Sequence, residues 1–485
     1  MVVVNTRWHI VSVAMLAVSL FLFTIACSGQ DTMPAAPAEI DLAAVREVVE
    51  EAVAASAAES VGPEEIKSMV EQAVASSAAE NVSPEEIRVM VEEAVATASS
   101  EGLTADEVEA QVAKAVSEAL SESAVGKVVE PASFVLTDVA GRTVTIQPPV
   151  ERIILGEGRQ IYIAAALQPG NPFNNIVGWR NDLRLYDADA YSKYVQLFPE
   201  IEDIEEFGSP YSGDFSVERA IAVGADVVTL NLGGLARARE AGTLEQLSEA
   251  GIPVVVIDYR QEPLENTVPS TYLLGRLLGQ EERAQGIVDF YLQQVNLVYS
   301  RVGQLEDDEK PLVFMDTAAG IESAEICCRT FGRAGLGLMI ERAGGINMGS
   351  GLTPGFSTEV NPEQIIVAAP DVIIATGSNW SPYSPDGDFV SLGYFTETAA
   401  AQQDLKELGE GRPGWSELDA INNGRHHAVW HQFYNSPYHF VVLQQFAKWF
   451  HPELFEDIDP VANFAEFHEK FLPIGYSGTF MVSAE

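Results

Sequence analysis

The sequence predicts an α/β protein: two Rossmann-like lobes joined by a long backbone helix, preceded by an α-helical stalk of 21-residue repeats. Three observations carry this. A helix-then-strand unit with the frame Glu-x7-Asp occurs twice, 145 residues apart, with its glutamates at Glu218 and Glu363. A long stretch of helical periodicity, Thr271–Gln304, separates the two copies. A pattern of period 21 fills residues 42–125, and such self-similarity marks a repeat array.

Composition narrows what such a chain does. At 485 residues it is too long for one core and suggests two to four units. Against 28 Lys and Arg stand 71 Asp and Glu, a formal net charge of −43. A nucleic-acid backbone or an anionic lipid surface would repel that charge, so neither is expected as a partner. Three cysteines, none in a CxxC or zinc-type spacing, exclude a disulfide scaffold and a zinc finger.

Residues 1–27 read as an export signal. Arg7 supplies the positive start, and Ile10–Ile25 is an uncharged apolar run suited to the core of a signal peptide. Thr24-Ile25-Ala26-Cys27 ends it, a small residue directly before a cysteine. This is similar to the lipobox of bacterial lipoproteins, departing at Thr24, where Leu is commonest. The resemblance implies lipidation of Cys27 and an exported protein anchored on the outer face of the cytoplasmic membrane.

Residues 28–132 form the stalk region. Repeats start at Leu42, Pro63, Pro84 and Ala105, with Val45, Ile66, Ile87 and Val108 in one column and Val49, Val70, Val91 and Val112 in the next. Spacings of three and four put these on one helical face, and Ser83-Pro84-Glu85-Glu86 is a capped helix start. The stripe is narrow and rich in Val and Ala. It suits a solvated spacer, or a stalk that self-associates weakly as a coiled coil.

The remainder divides into an N-terminal α/β lobe (133–265), a connecting helix (266–308) and a C-terminal α/β lobe (309–485). Phe134–Ile146 alternates apolar and polar residues around Ala140-Gly141, which predicts a hairpin, and Ile153-Ile154-Leu155 begins a buried strand. In each repeated unit a short capped helix starts near the Glu, and a β-branched strand follows the Asp, at Asp226 and Asp371. Leu247–Asp258 and Pro311–Asp316 add further strands, so parallel sheets with helical crossovers are expected. Within the helical stretch, Gln280-Glu281-Glu282 reads as a fresh start.

Taken in order, LTDVAGRTVTIQPPVERII, the two Glu-x7-Asp units, GIPVVVID, LLGQEERAQGIVDFY, MIERAGGINMG, INNGRHHAV and AKWFHPELFEDIDP resemble the class III solute-binding proteins of ABC importers over residues 133–475. That family carries ferric siderophores, haem and cobalamin. The resemblance implies a bilobal receptor that is no enzyme and has no intrinsic cofactor, capturing an Fe(III)–siderophore complex or a related chelate between its lobes. It implies an ABC permease with its ATPase as partner, touched by Glu218 and Glu363, one per lobe. Each is equally a first-turn acid that stabilises its helix dipole.

Gly156-Glu157-Gly158-Arg159 replaces the small Ser-rich turn common in the family, which faces the cleft, so Arg159 becomes a candidate ligand contact. Trp179 and Arg180 at the end of the next strand, and Arg329 and Arg333 around Thr330-Phe331-Gly332, are further candidates. A guanidinium fork suits paired oxygen acceptors. Trp380, His431, Tyr434 and His439 are expected to line the C-lobe side, as pocket walls or as direct metal ligands. Cys327-Cys328 is an adjacent pair that closes a vicinal disulfide, stays reduced or binds a soft metal. No GxSxG, P-loop or HExxH sequence argues for an enzyme.

Overall fold

In the computed structural model residues 133–321 and 327–484 are described. The expected export signal with Cys27, and the expected stalk, lie outside them. The chain enters through the expected hairpin, β1 (Phe134–Thr137) and β2 (Thr143–Ile146), paired antiparallel with Phe134 opposite Ile146. Asp138 builds its turn: the carboxylate accepts from the Ala140 and Arg142 amides, and Gly141 takes the positive φ of 74° that a side chain would resist.

The N-terminal lobe alternates strand and helix as its pattern predicts. In order come β3 (Ile153–Leu155), α1 (Ile161–Leu167), β4 (Ile176–Arg180), α2 (Asp182–Tyr186), α3 (Ala188–Leu197), β5 (Glu205–Phe207), α4 (Val217–Ala222) and β6 (Val227–Asn231). Then follow α5 (Leu235–Glu240), α6 (Thr243–Glu249) and β7 (Val254–Ile257). The strands form one parallel sheet in the order β5-β4-β3-β6-β7. Every residue of β3, β6 and β7 is buried, because helices cover both faces.

The connection is two helices, α7 (Pro263–Leu277) and α8 (Glu281–Val302). The stretch read as helical throughout from Thr271 to Gln304 is therefore interrupted. Gly279, at φ 63°, turns the chain, and α8 restarts at Glu281 as the Gln280-Glu281-Glu282 signal indicates.

The C-terminal lobe brings β8 (Leu312–Asp316), β9 (Arg329–Phe331), α9 (Gly335–Arg342), β10 (Ile346–Asn347), β11 (Ser357–Glu359), α10 (Pro362–Ala368) and β12 (Val372–Gly377). After these come α11 (Thr398–Gly411), α12 (Asp419–Asn422), β13 (His426–Trp430), α13 (His439–Phe450), α14 (Pro460–Phe471) and β14 (Met481–Ser483). The sheet order is β10-β8-β12-β13-β14, parallel except for β14 at the edge, while β9 and β11 pair apart as a small antiparallel ribbon. The repeated units are thus α4–β6 and α10–β12, one per lobe. Among the described residues no helix is long and apolar enough to cross a membrane.

Candidate ligand site between the lobes

In open parallel sheets, ligands settle beyond the carboxyl ends of the strands. Here the loops leaving β3, β4, β6 and β7 of one lobe meet those leaving β12 and β13 of the other. The turn after β3 is tight: a Cβ at Gly158 would run into the Arg180 carbonyl, and the Gly158 amide donates to Asp182 Oδ1 at 2.6 Å. That turn aims Arg159 across the interface. Its Nε donates to Asp182 Oδ2 at 2.6 Å, and its Nη1 donates to Gln432 Oε1 at 2.9 Å and Tyr434 Oη at 2.7 Å on the opposite lobe. Asn435 continues the bridge, donating to Glu157 Oε2 at 3.0 Å and accepting from Asn231 Nδ2 at 3.1 Å.

Arg260, three residues after β7, completes the charged floor. It lies 3.7 Å from Glu157 and 5.2 Å from the Tyr434 ring centroid, and stacks 4.6 Å from that of Phe356. Glu157 is buried, at 2% exposure, and faces both guanidiniums. Burial pushes its carboxyl up, but Arg260 and Arg159 outweigh that and hold it below the usual carboxylate value. One carboxylate is thus shared by two arginines and tied to the other lobe through Asn435.

Aromatic rings surround this floor. Tyr434 lies beside Phe331 and Phe356, and His431 packs 4.6 Å from Tyr434 and stacks on Phe331. The edge of Trp380 meets His431 at 5.3 Å, and Tyr186 stands over Arg159 beside Tyr383. Burial drives His431 down to about 3, with Arg159 and Arg260 adding to the effect, so its imidazole is neutral at physiological pH and its Nδ1 is 2.9 Å from Thr376 Oγ1. Neutral rings thus pack beside two guanidiniums where the two lobes meet.

Of the residues singled out from the sequence, Arg159, Trp380, His431 and Tyr434 are brought together here. Arg180 is half-buried at the end of β4, and its charge reaches Glu157. Trp179 offers no stacking face: it is 4% exposed and packs edge-on against Phe173, in the core beneath β4. His439 is sealed between α13 and the connecting helices, its Nδ1 2.8 Å from the Ser436 carbonyl and its Nε2 2.7 Å from Tyr291 Oη. Arg333 is exposed, and so is Arg329, 3.9 Å from Glu359. Glu218 and Glu363 are exposed in the first turns of α4 and α10. Sequence reasoning missed Arg260, Glu157 and Asn435. Arg260 had a signal, an arginine just past the strand of GIPVVVID, and Glu157 had its place beside Arg159 in the turn after β3; Asn435 had none.

Residues 183–427 match the family described as periplasmic binding protein. Among solved structures, a TroA-like periplasmic binding protein, FepB of Veillonella parvula, is 31% identical; the match covers 72% of this chain and 99% of that one, with a TM-score of 0.66. The molybdate periplasmic binding protein MolA of Haemophilus influenzae shares the fold at 20% identity, covering 71% and 99%, with a TM-score of 0.54. CeuE of Helicobacter pylori, solved with Ni(II) bound, does so at 15% identity, covering 70% and 97%, with a TM-score of 0.52. No curated protein sequence matches the chain. The paired lobes, the site at their strand ends and these likenesses agree: the chain belongs to the periplasmic binding protein family.

Proposed function

We propose that this protein is the receptor of an ABC importer for an anionic iron chelate of the ferric-siderophore class, held outside the cytoplasmic membrane by a lipid on Cys27. Family membership implies the extracytoplasmic location, and the family consists of solute-binding proteins, so no catalytic step is assigned. The observation that carries the ligand class is the cleft floor. Two guanidiniums, Arg159 and Arg260, lie beside an aromatic wall, and Arg159 already bonds to both lobes. An oxygen-rich anion in this place would take hydrogen bonds from the forks while its organic body lies on the rings. Lobes that meet through the same arginine would then close on the ligand. Glu218 and Glu363, one per lobe, would meet basic residues of the permease and report closure.

The test is tryptophan fluorescence of the purified full chain, since Trp380 sits at the floor, titrated with ferric siderophores of the catecholate and hydroxamate types, haemin and cobalamin. The expected result is saturable quenching by a ferric siderophore and none by its iron-free form. Quenching only by haemin or cobalamin overturns the ligand class.

A further inference from the structure

A cavity of about 430 Å³ lies in the C-terminal lobe and shares no lining residue with the Arg159 floor. Asp316, Thr317, Cys327, Cys328, Arg329 and Arg412 are part of its wall. We propose that this cavity is a redox-gated site for a soft divalent cation of the zinc class, closed when Cys327 and Cys328 are disulfide-bonded and open when they are thiols, with Asp316 as third ligand.

Four observations support this. The two sulfurs and an Asp316 carboxylate oxygen all lie within 4.8 Å of one another, close enough for one ion to replace the space between them. Asp316 is positioned as ligating carboxylates are, by a partner behind it: Arg412 Nη2 donates to its Oδ2 at 2.6 Å, with both side chains 1% exposed. Thr317, 7% exposed and lining the same cavity, has an Oγ1 with no hydrogen-bond partner, a spare oxygen donor next to the carboxylate. Cys328 is buried against Phe314 and Val360, which fixes the pair, while Cys327 is half-buried, which leaves one sulfur within reach of a reductant.

Charge explains the gating. The cavity wall holds two acids, Asp316 and Glu359, and two arginines, Arg329 and Arg412, so with the sulfurs bonded it is formally neutral and selects no ion. Reduction by a dithiol changes this. One thiolate of the donor attacks a sulfur and forms a mixed disulfide; its second thiolate resolves that bond. The donor leaves as a disulfide, and Cys327 and Cys328 have gained two electrons and two protons. The cation then displaces both thiol protons, and two thiolates match its double charge. Thiolate with carboxylate is a donor set that zinc accepts and that calcium and magnesium do not.

The test uses the full chain with Cys27→Ser, so that only the adjacent pair contributes thiols. Protein as isolated and protein reduced with dithiothreitol, then desalted under nitrogen, are titrated with Cd(II) and read by the ultraviolet thiolate-to-metal charge-transfer band. One equivalent is expected to bind to the reduced chain and none to the oxidised chain, with Zn(II) displacing it. Cys328→Ser abolishes the band, and Asp316→Asn weakens binding at least about tenfold. Zinc-edge X-ray absorption of the unmutated pair should show two sulfurs with oxygen neighbours, which reads the Asp316 claim even if Asp316→Asn does not fold. No saturable band in the reduced chain, equal binding by the oxidised chain, or a metal shell without sulfur or without oxygen overturns the proposal.

Discussion

Arg159 is the side chain on which the cleft floor depends. It is 5% exposed, and its guanidinium spends different nitrogens on different lobes: Nε on Asp182, and Nη1 on Gln432 and Tyr434. A buried ion pair gains little over apolar packing, but breaking one leaves a bare charge and costs about 3–5 kcal/mol. Arg159→Met should therefore lower stability by that amount, because Asp182 remains at 1% exposure with only the Gly158 amide for company. Adding Asp182→Asn removes the stranded charge and should restore most of the loss. Urea denaturation of the two single variants and the double one measures this. A double variant no more stable than Arg159→Met would show that Arg159 acts through its contacts to Gln432 and Tyr434 instead.

The repeated helix–strand units show what local pattern reveals and where it stops. In α4, Ser216 Oγ accepts from the Arg219 amide, and in α10, Asn361 Oδ1 accepts from the Glu363 amide; both caps are visible in the sequence. The following strands, β6 and β12, are wholly buried runs of mainly β-branched residues, equally visible. The site was legible only in part, because its makers are joined by tertiary distance. Asn435 and Glu157 are 278 residues apart, and neither belongs to a periodic pattern. His439 stands at a helix start near the cleft in sequence, yet its ring pairs with Tyr291, 148 residues away on α8. The break at Gly279 was signalled by the restart at Glu281 but lost in an otherwise continuous apolar period. The first-turn acids bear a separate prediction. Glu218→Ala with Glu363→Ala should cost each helix only about 0.3–1 kcal/mol, since both side chains are exposed and their service to the helix dipole is small. Ligand affinity should be unchanged while ligand uptake by cells is lost. Undiminished uptake would remove the permease-docking role.

Acid should destabilise the folded protein despite its large negative charge. Burial lowers His426, His427 and His431 to about 3, and His439 and His468 to about 4, from an ordinary value of 6.5. Between pH 6.5 and 5 the unfolded chain therefore protonates five imidazoles that the folded chain keeps neutral, and stability is lost as pH falls. Two carboxyls oppose this. Burial raises Asp187 to about 7 and Asp316 to about 6, so the folded chain holds protons there that the unfolded chain releases, and their contribution to stability falls as pH rises through that range. More imidazoles are shifted down than carboxyls are shifted up, so the unfolded chain still binds the excess of protons in this range. Relief of self-repulsion among 71 acids also favours the folded form in acid, but exposed charges interact weakly at physiological salt. The histidines should prevail, and the urea midpoint should drop steadily from pH 7 to pH 4.5. Asp187→Asn keeps an acceptor for the Ala190 amide while removing one opposing proton, so its acid loss should be steeper than that of the unchanged chain. A midpoint that rises toward acid would mean that the surface charge, and not the buried imidazoles, governs the pH dependence.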